Sequence, residues 1–316
     1  MLKKYWYIII ISIIILAIIL IKFKSSPSMT ENNKFQIEDT SLITKIFLAD
    51  RNGKTITLKK KQEKWVVNDQ FFVREDAINT ILLTANKIRI KKPVSKASFN
   101  NVIKYIATTG IVVEFSNNNE IIRSYTIGSN TADHLGNYML LKDSETPFVV
   151  HIPSFNGFLS PRYGIQGNSL DITNWRSTTI FNISFESIKH IKYTDFLNPE
   201  NSYFLKTKPF KLMNFKNNVI QINKNKVLKL INSFENLNCE TFKKEKSVID
   251  SLPQIEELIV NSDTLRTYKI LDKKRKNQKD NFTVKRKFAT LNNGDLMLIQ
   301  DYVFNKVLIN INELTD

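Results

Sequence analysis

The sequence predicts an α+β protein: an N-terminal transmembrane helix, then two tandem, strand-rich repeats, each with one main helix. Three observations predict it. Residues 5–21 (YWYIIIISIIILAIILI) form an uncharged apolar run. From Ile43 onward, short apolar stretches broken by turn residues alternate with single stretches of helical spacing. The whole pattern then occurs a second time, about 145 residues later.

The apolar run is flanked by Lys3 and Lys4 before it and Lys22 and Lys24 after it. Its length meets the lower limit of about 17–25 residues for crossing a bilayer as a helix. Lys-Phe-Lys-Ser-Ser-Pro follows instead of a small-x-small cleavage site, and the first 35 residues hold no cysteine for lipid anchoring. An uncleaved signal anchor is expected over residues 5–21, with cleavage as the alternative, and residues 22–35 read as a polar tether. The short N-terminal tail and its α-amino group favour the N-terminus inside. The expected location is then the inner (cytoplasmic) membrane, single-pass, with the C-terminal ectodomain in the periplasm.

In the first copy, "ITKIFLADRNGKTITLKKKQEKWVVND" gives strands near 43–49, 54–60 and 64–68, with Asn52-Gly53 as a tight hairpin turn. Arg74–Lys87 places Ile78, Ile81, Leu82 and Ala85 at helical spacing. Strands near 111–116 and 121–127 and a strand pair near 137–152 follow. In the second copy Asp195 falls 145 positions after Asp50, and Phe210 falls 145 after Trp65. Val227, Ile231, Phe234 and Leu237 repeat the helical stripe of Ile78, Leu82, Ala85 and Ile88 at a shift of 149, and "VFNKVL" (303–308) echoes "SFNGFL" (154–159) at the same shift. "TLRTYKILD" (264–272) echoes "IIRSYTIGS" (121–129) at 143, so Arg123-x-Tyr125 and Arg266-x-Tyr268 read as matching half-buried strands. Repeat copies are expected at 36–159 and 186–316. Residues 160–185 read as a linker, because Pro161, Gly164 and Gly167 interrupt periodicity there.

The net charge of +16 is unevenly spread. Lys273, Lys274, Arg275, Lys276, Lys279, Lys285, Arg286 and Lys287 crowd into one stretch of the second copy, where the first copy has "GSNTADHLGNYMLL". A scaffold shared by both copies with a basic extension on one marks a candidate interaction surface. An exported chain rarely meets nucleic acid, so an acidic protein face, an anionic lipid or a glycan is the expected partner class.

Catalytic motifs are absent from the sequence. No Walker loop, Gly-x-Gly-x-x-Gly, His-Glu-x-x-His or Gly-x-Ser-x-Gly occurs, and the chain has only 8 glycines. Of His134, His151 and His190, only His134 adjoins a carboxylate, Asp133, and that pair lies in an expected turn. Cys239, the one cysteine, reads as a buried apolar residue without a neighbouring base. Asp50 and Asp195 recur at strand ends, where Asp serves its own backbone. No cofactor and no metal site are expected. Trp65, Tyr138 and Trp175 form a candidate aromatic platform for a glycan.

Several segments together, "KIFLADRNGKTITLKKKQEKWVVN", "RIKKPVS", "YTIGSNTADHLGNYML" and "FLSPRYGIQGNSLDITNWRSTTIF", resemble a bacterial family of domains of unknown function common in Bacteroidetes. Related domains accompany auxiliary subunits of gliding-motility-type ABC transporters. The resemblance implies an envelope location and a non-enzymatic auxiliary role, and it brings no catalytic residues. The second copy departs from it: Trp65 becomes Phe210, Gly128 becomes Leu271, and the basic stretch appears. The expected function is a membrane-anchored envelope protein acting by binding, as accessory to a transporter or motility-type assembly. A glycan- or peptidoglycan-binding module is the alternative, and an unrecognised hydrolase using Asp133 and His134 the third.

Overall fold

The computed structural model describes residues 33–118, 120–243, 245–270 and 285–316. The chain divides into two compact units, one ending at Ser177 and the other beginning at Thr178.

In the first unit the strands are β1 (Lys45–Ala49), β2 (Thr55–Lys61), β3 (Lys64–Val67), β4 (Phe71–Phe72), β5 (Arg89–Pro93), β6 (Ile111–Asn117), β7 (Glu120–Asn130), β8 (Asn137–Leu141) and β9 (Phe148–His151). They form one nine-stranded sheet in the order β4-β3-β2-β1-β6-β7-β8-β9-β5. The β1–β2 hairpin turns at Gly53, whose φ of +82° suits a residue without Cβ. Asp50 closes that turn, its Oδ1 accepting from the Asn52 and Lys54 amides at 2.9 and 3.0 Å. On β1, Ile46 and Leu48 are buried and their neighbours only partly so, the alternation of a sheet with one apolar face.

Helix α1 (Glu75–Lys87) contributes Ile78, Ile81 and Ala85 to the core. Its Glu75 and Asp76 lie in the first turn and Lys87 in the last, as the helix dipole favours. A second helix, α2 (Lys96–Thr109), lies between β5 and β6 and buries only Val102 and Ile106. That narrow stripe explains why its sequence did not announce a helix. Beyond β9 the chain forms a small hairpin, β10 (Ile165–Gln166) and β11 (Ser169–Leu170).

The second unit contains β12 (Thr179–Phe181), β13 (His190–Asp195), β14 (Tyr203–Thr207), β15 (Phe210–Asn214), β16 (Val219–Ile220), helix α3 (Lys224–Asn232), β17 (Leu237–Asn238), β18 (Thr241–Phe242), β19 (Gln254–Val260), β20 (Asp263–Lys269), β21 (Arg286–Leu291), β22 (Leu296–Gln300) and the single turn α4 (Asp301–Phe304). Its large sheet runs β16-β15-β14-β13-β19-β20-β21-β22-β18, position for position the order of the first. β12 pairs separately with β17. Asn223 caps α3, accepting from the Lys226 amide, and Val227, Leu230 and Ile231 of that helix are buried. The chain returns alike in both units: the Arg74 amide donates to the Trp175 carbonyl at 2.8 Å, and the Asn223 amide to the Leu314 carbonyl at 2.9 Å. "LDITNW" (170–175) thus corresponds to "ININEL" (309–314), and Ser160–Ser169 is an insertion peculiar to the first unit.

The structure corrects several expectations. The class is mostly antiparallel β rather than α+β, since each unit is built around a nine-stranded sheet. The first unit also has two helices rather than one, and no equivalent of α2 stands between β18 and β19 among the described residues. The span expected over residues 5–21 lies outside the described residues. Among those described, no helix is long and apolar enough to cross a membrane. The single-pass inner-membrane placement is withdrawn on that finding. Residues 160–185 are not a free linker: Tyr163, Ile165, Leu170 and Trp175 pack in the first core and Phe181 in the second. The polar tether likewise ends inside the fold, with Phe35 fully buried against Tyr125 and Phe148.

The echo between the copies is also offset in the fold. Leu48 pairs with Val113 and Val113 with Tyr125, whereas Tyr193 pairs with Leu258 and Leu258 with Leu265. Leu265 therefore holds the place of Tyr125. Tyr268 and Arg266, an odd number of residues away, project to the other face. The β6–β7 hairpin reaches its turn later and carries a bulge between Phe115 and Ser116, which offsets the matching letters.

Ile81 is fully buried under the first sheet, so Ile81→Ala is expected to cost about 2–5 kcal/mol. Leu83→Ala, on the exposed side of the same helix, is expected to cost about 0.5 kcal/mol or less. Chemical denaturation of the two variants checks the difference.

Candidate functional site

Of the basic stretch, Lys273, Lys274, Arg275, Lys276 and Lys279 lie outside the described residues. Lys285, Arg286 and Lys287 are placed, and two of them are neutralised. Arg286 Nε donates to Glu240 Oε2 at 2.6 Å and holds that carboxyl below the usual range. Lys287 Nζ reaches both Glu256 oxygens at 3.0 and 2.9 Å. Glu256 also accepts from Thr267 Oγ1 at 2.7 Å and from the Tyr193 hydroxyl at 3.3 Å. Burial, and then the Glu256 charge, push the Tyr193 hydroxyl well above its ordinary pKa. Arg286 and Lys287 therefore tie β21 to β19 and to the residue preceding β18, each two places away in the sheet. Lys285 is exposed.

The aromatic trio does not converge. Trp175 is 1% exposed in the first core, and Trp65 and Tyr138 are each half-buried. Trp65 on β3 and Tyr138 on β8 are five strand positions apart in the sheet order, roughly 24 Å at the usual strand spacing. Trp175 Nε1 is buried without a hydrogen-bond partner. It backs a pocket of about 240 Å³ between the start of α1 and the inserted Pro161–Gln166 segment.

The Asp133–His134 pair is a turn. Asp133 accepts from Thr131 Oγ1, from the Leu135 amide at 3.0 Å and from Lys91 at 3.3 Å, and these bonds hold its carboxyl far below the usual range. His134 is exposed at φ +56° with its ring 6.3 Å from Phe158. His190 stacks on Phe204, and Cys239 is buried. Asp195 closes the turn after β13, accepting from the Leu197 and Asn198 amides at 2.9 and 3.0 Å, as Asp50 does in the first unit. Among the described residues no three His, Cys, Asp or Glu side chains gather as metal ligands would.

Two surfaces that sequence reasoning missed stand out. The first is a groove of about 700 Å³ on the first unit, walled by Ile122, Leu141 and Phe148 and lined by Lys34, Arg123 and Lys142. The second lies at one end of the second sheet, where Phe196 is 50%, Leu197 64%, Phe215 47% and Val219 61% exposed. The register places both turns at that end, since Tyr203 pairs with Tyr193 on one side and with Asn214 on the other. A cavity of about 400 Å³ adjoins, lined by Glu200, Phe215, Ile220 and Ile311. The corresponding turns of the first unit carry Arg51, Asn52 and Gly53, and Asn68, Asp69 and Gln70. The signal available was that contrast: apolar residues in the turns of one copy alone.

Removing an unpartnered buried donor while keeping an aromatic ring should not weaken the core. Trp175→Phe is expected to leave stability unchanged or raise it by about 1 kcal/mol, whereas Trp175→Ala should cost about 3–5 kcal/mol. Equilibrium denaturation distinguishes them. Burial, then the nearby Lys91 charge, lower the His151 pKa from 6.5. The unfolded chain takes up this proton more readily, so the contribution is full above pH 6.5 and is lost as pH falls below it. In His151→Gln, stability measured across that window should decline less on acidification.

No family model, no curated protein and no solved structure matches this chain.

Proposed function

We propose that the chain is a binding protein without catalytic activity of its own, serving as an accessory that docks a protein partner through one end of its second unit. The observation that supports this reading is the exposed set Phe196, Leu197, Phe215 and Val219, four large apolar side chains in turns and on an edge strand. Scattered single exposures are ordinary, but a group at one end of a sheet is the mark of an interaction site. The contrast between the copies sharpens it. The same scaffold positions are polar in the first unit, so the fold does not require apolar residues there.

A protein partner fits better than a sugar or a nucleotide. Aromatic and aliphatic anchors carry much of the energy in protein interfaces. β16 is the edge of its sheet, so its outer backbone groups are open to a further strand. Asp195 fixes the loop that presents Phe196 and Leu197, with Asn201 Nδ2 donating to its Oδ2 at 2.9 Å. The surface is thus held in shape before a partner arrives, which limits the entropy lost on binding.

A photo-reactive amino acid placed singly at Leu197, Phe215, Asn52 or Asp69 and irradiated in the native cell tests this. The expected outcome is one adduct with a distinct protein, formed from positions 197 and 215 and not from 52 and 69. Identical patterns at all four positions, or no adduct from 197 and 215, would overturn the reading.

A further inference from the structure

Arg123 stands on β7 in the row of Tyr125 and Ile127, opposite the buried Phe115. Its Nε is shut off from water and has no hydrogen-bond partner. Among the described residues no carboxylate forms an ion pair with its guanidinium. The letter-for-letter counterpart, Arg266, is fully engaged: it faces Glu257 at 3.1 Å and donates to Asn293 Oδ1 at 2.7 Å. A guanidinium in a partly dry site without an anion is costly unless something else supplies one.

That guanidinium lines the groove of about 700 Å³. On one side are the apolar walls Ile122, Leu141 and Phe148, and at the rim are Lys34 and Lys142, with Asp143 the opposing charge. Lys142 already faces Glu114 at 3.4 Å, whereas Arg123 has no ion pair among the described residues. One unanswered planar fork suits a monovalent, planar head group. The apolar walls and a volume many times that of a water suit a carbon body behind it.

We propose that this groove binds a small amphipathic carboxylate, its head group on the Arg123 guanidinium and its apolar body against Ile122, Leu141 and Phe148. The site belongs to the first unit and is independent of the docking surface of the second. The rise of β7 past the end of β8 creates it: Tyr125 pairs with Leu141, the Lys142 amide still donates to the Ser124 carbonyl at 3.1 Å, and residues 121–123 have no strand paired on that side. The second unit cannot repeat it, because Arg266 projects to the opposite face from the core.

Titration of the full-length chain with hexanoate, hexan-1-ol and inorganic phosphate, followed by calorimetry and by the Arg123 Nε–H resonance, tests the assignment. Saturable hexanoate binding with movement of that resonance is expected. Arg123→Gln should weaken it about tenfold or more, and Arg266→Gln should leave it unchanged. A thermal melt confirms that the Gln variant is folded. Should its melt fall, Arg123→Lys, which keeps charge and loses the fork, provides the same comparison. Hexan-1-ol binding as well as hexanoate, phosphate displacing hexanoate, unaltered binding in both Arg123 variants, or no saturable binding would each overturn the proposal. The crosslinks from positions 197 and 215 read out the docking surface separately, so either idea can fail alone.

Discussion

The antiparallel seam between a strand early in each unit and one that follows its main helix is the contact on which the rest depends. In the first unit β1 meets β6, with Leu48 opposite Val113; in the second β13 meets β19, with Tyr193 opposite Leu258. Each seam joins a meander on one side to a second meander on the other, and without it neither buries its apolar face. Closing the loop between the two strands costs chain entropy that grows slowly with its length. The return is a row of buried residues spanning both meanders. A register slip of one residue at the seam would put Ile46 and Leu48 on the opposite face from Val113 and Phe115, so the apolar alternation fixes the pairing.

Once the seam is set, one sheet face must be covered, and the units do this with related parts. α1 and α3 supply the same apolar stripe, and a returning segment bonds back to the residue preceding each helix, through Trp175 in one and Leu314 in the other. Differences are then additions to a common frame. The first unit adds α2 and the segment Ser160–Ser169, which touch each other through the Tyr105 hydroxyl and Asn168 Oδ1 at 2.9 Å. The insertion also brings Tyr163 into the core, where its hydroxyl lies 2.8 Å from that of Tyr125. The second unit lacks these and instead places Phe and Leu in turns that the first keeps polar.

The same comparison redistributes the meaning of charge. The sequence presents a run of cations as one surface, but two of the three that the structure describes are tied into ion pairs. Arg286 and Lys287 meet Glu240 and Glu256, carboxylates 46 and 31 residues earlier in the chain. Arg123, which looks ordinary beside Ser124 and Tyr125, has a buried Nε without a hydrogen-bond partner and no ion pair among the described residues. Ion pairing across strands depends on register, and register is not written in any local stretch of residues.

The sequence by itself determined the duplication, the turn at Asn52-Gly53, most strands of the first meander, the extent of α1 and the turn-closing character of Asp50 and Asp195. These follow from short-range causes: period-two and helical alternation, φ-positive turn residues, and side chains that bond their own backbone. Tertiary structure alone decided that Leu265 rather than Tyr268 replaces Tyr125, because a bulge and a longer hairpin shift one strand against its neighbour. It decided that Trp65, Tyr138 and Trp175 share no surface, because strand order separates the first two and the core takes the third. It also made residues 160–177 part of a core instead of a linker. A segment broken by Pro161 and Gly164 has no periodicity to read, and its Tyr163 and Trp175 are buried only because a sheet end lies open to receive them.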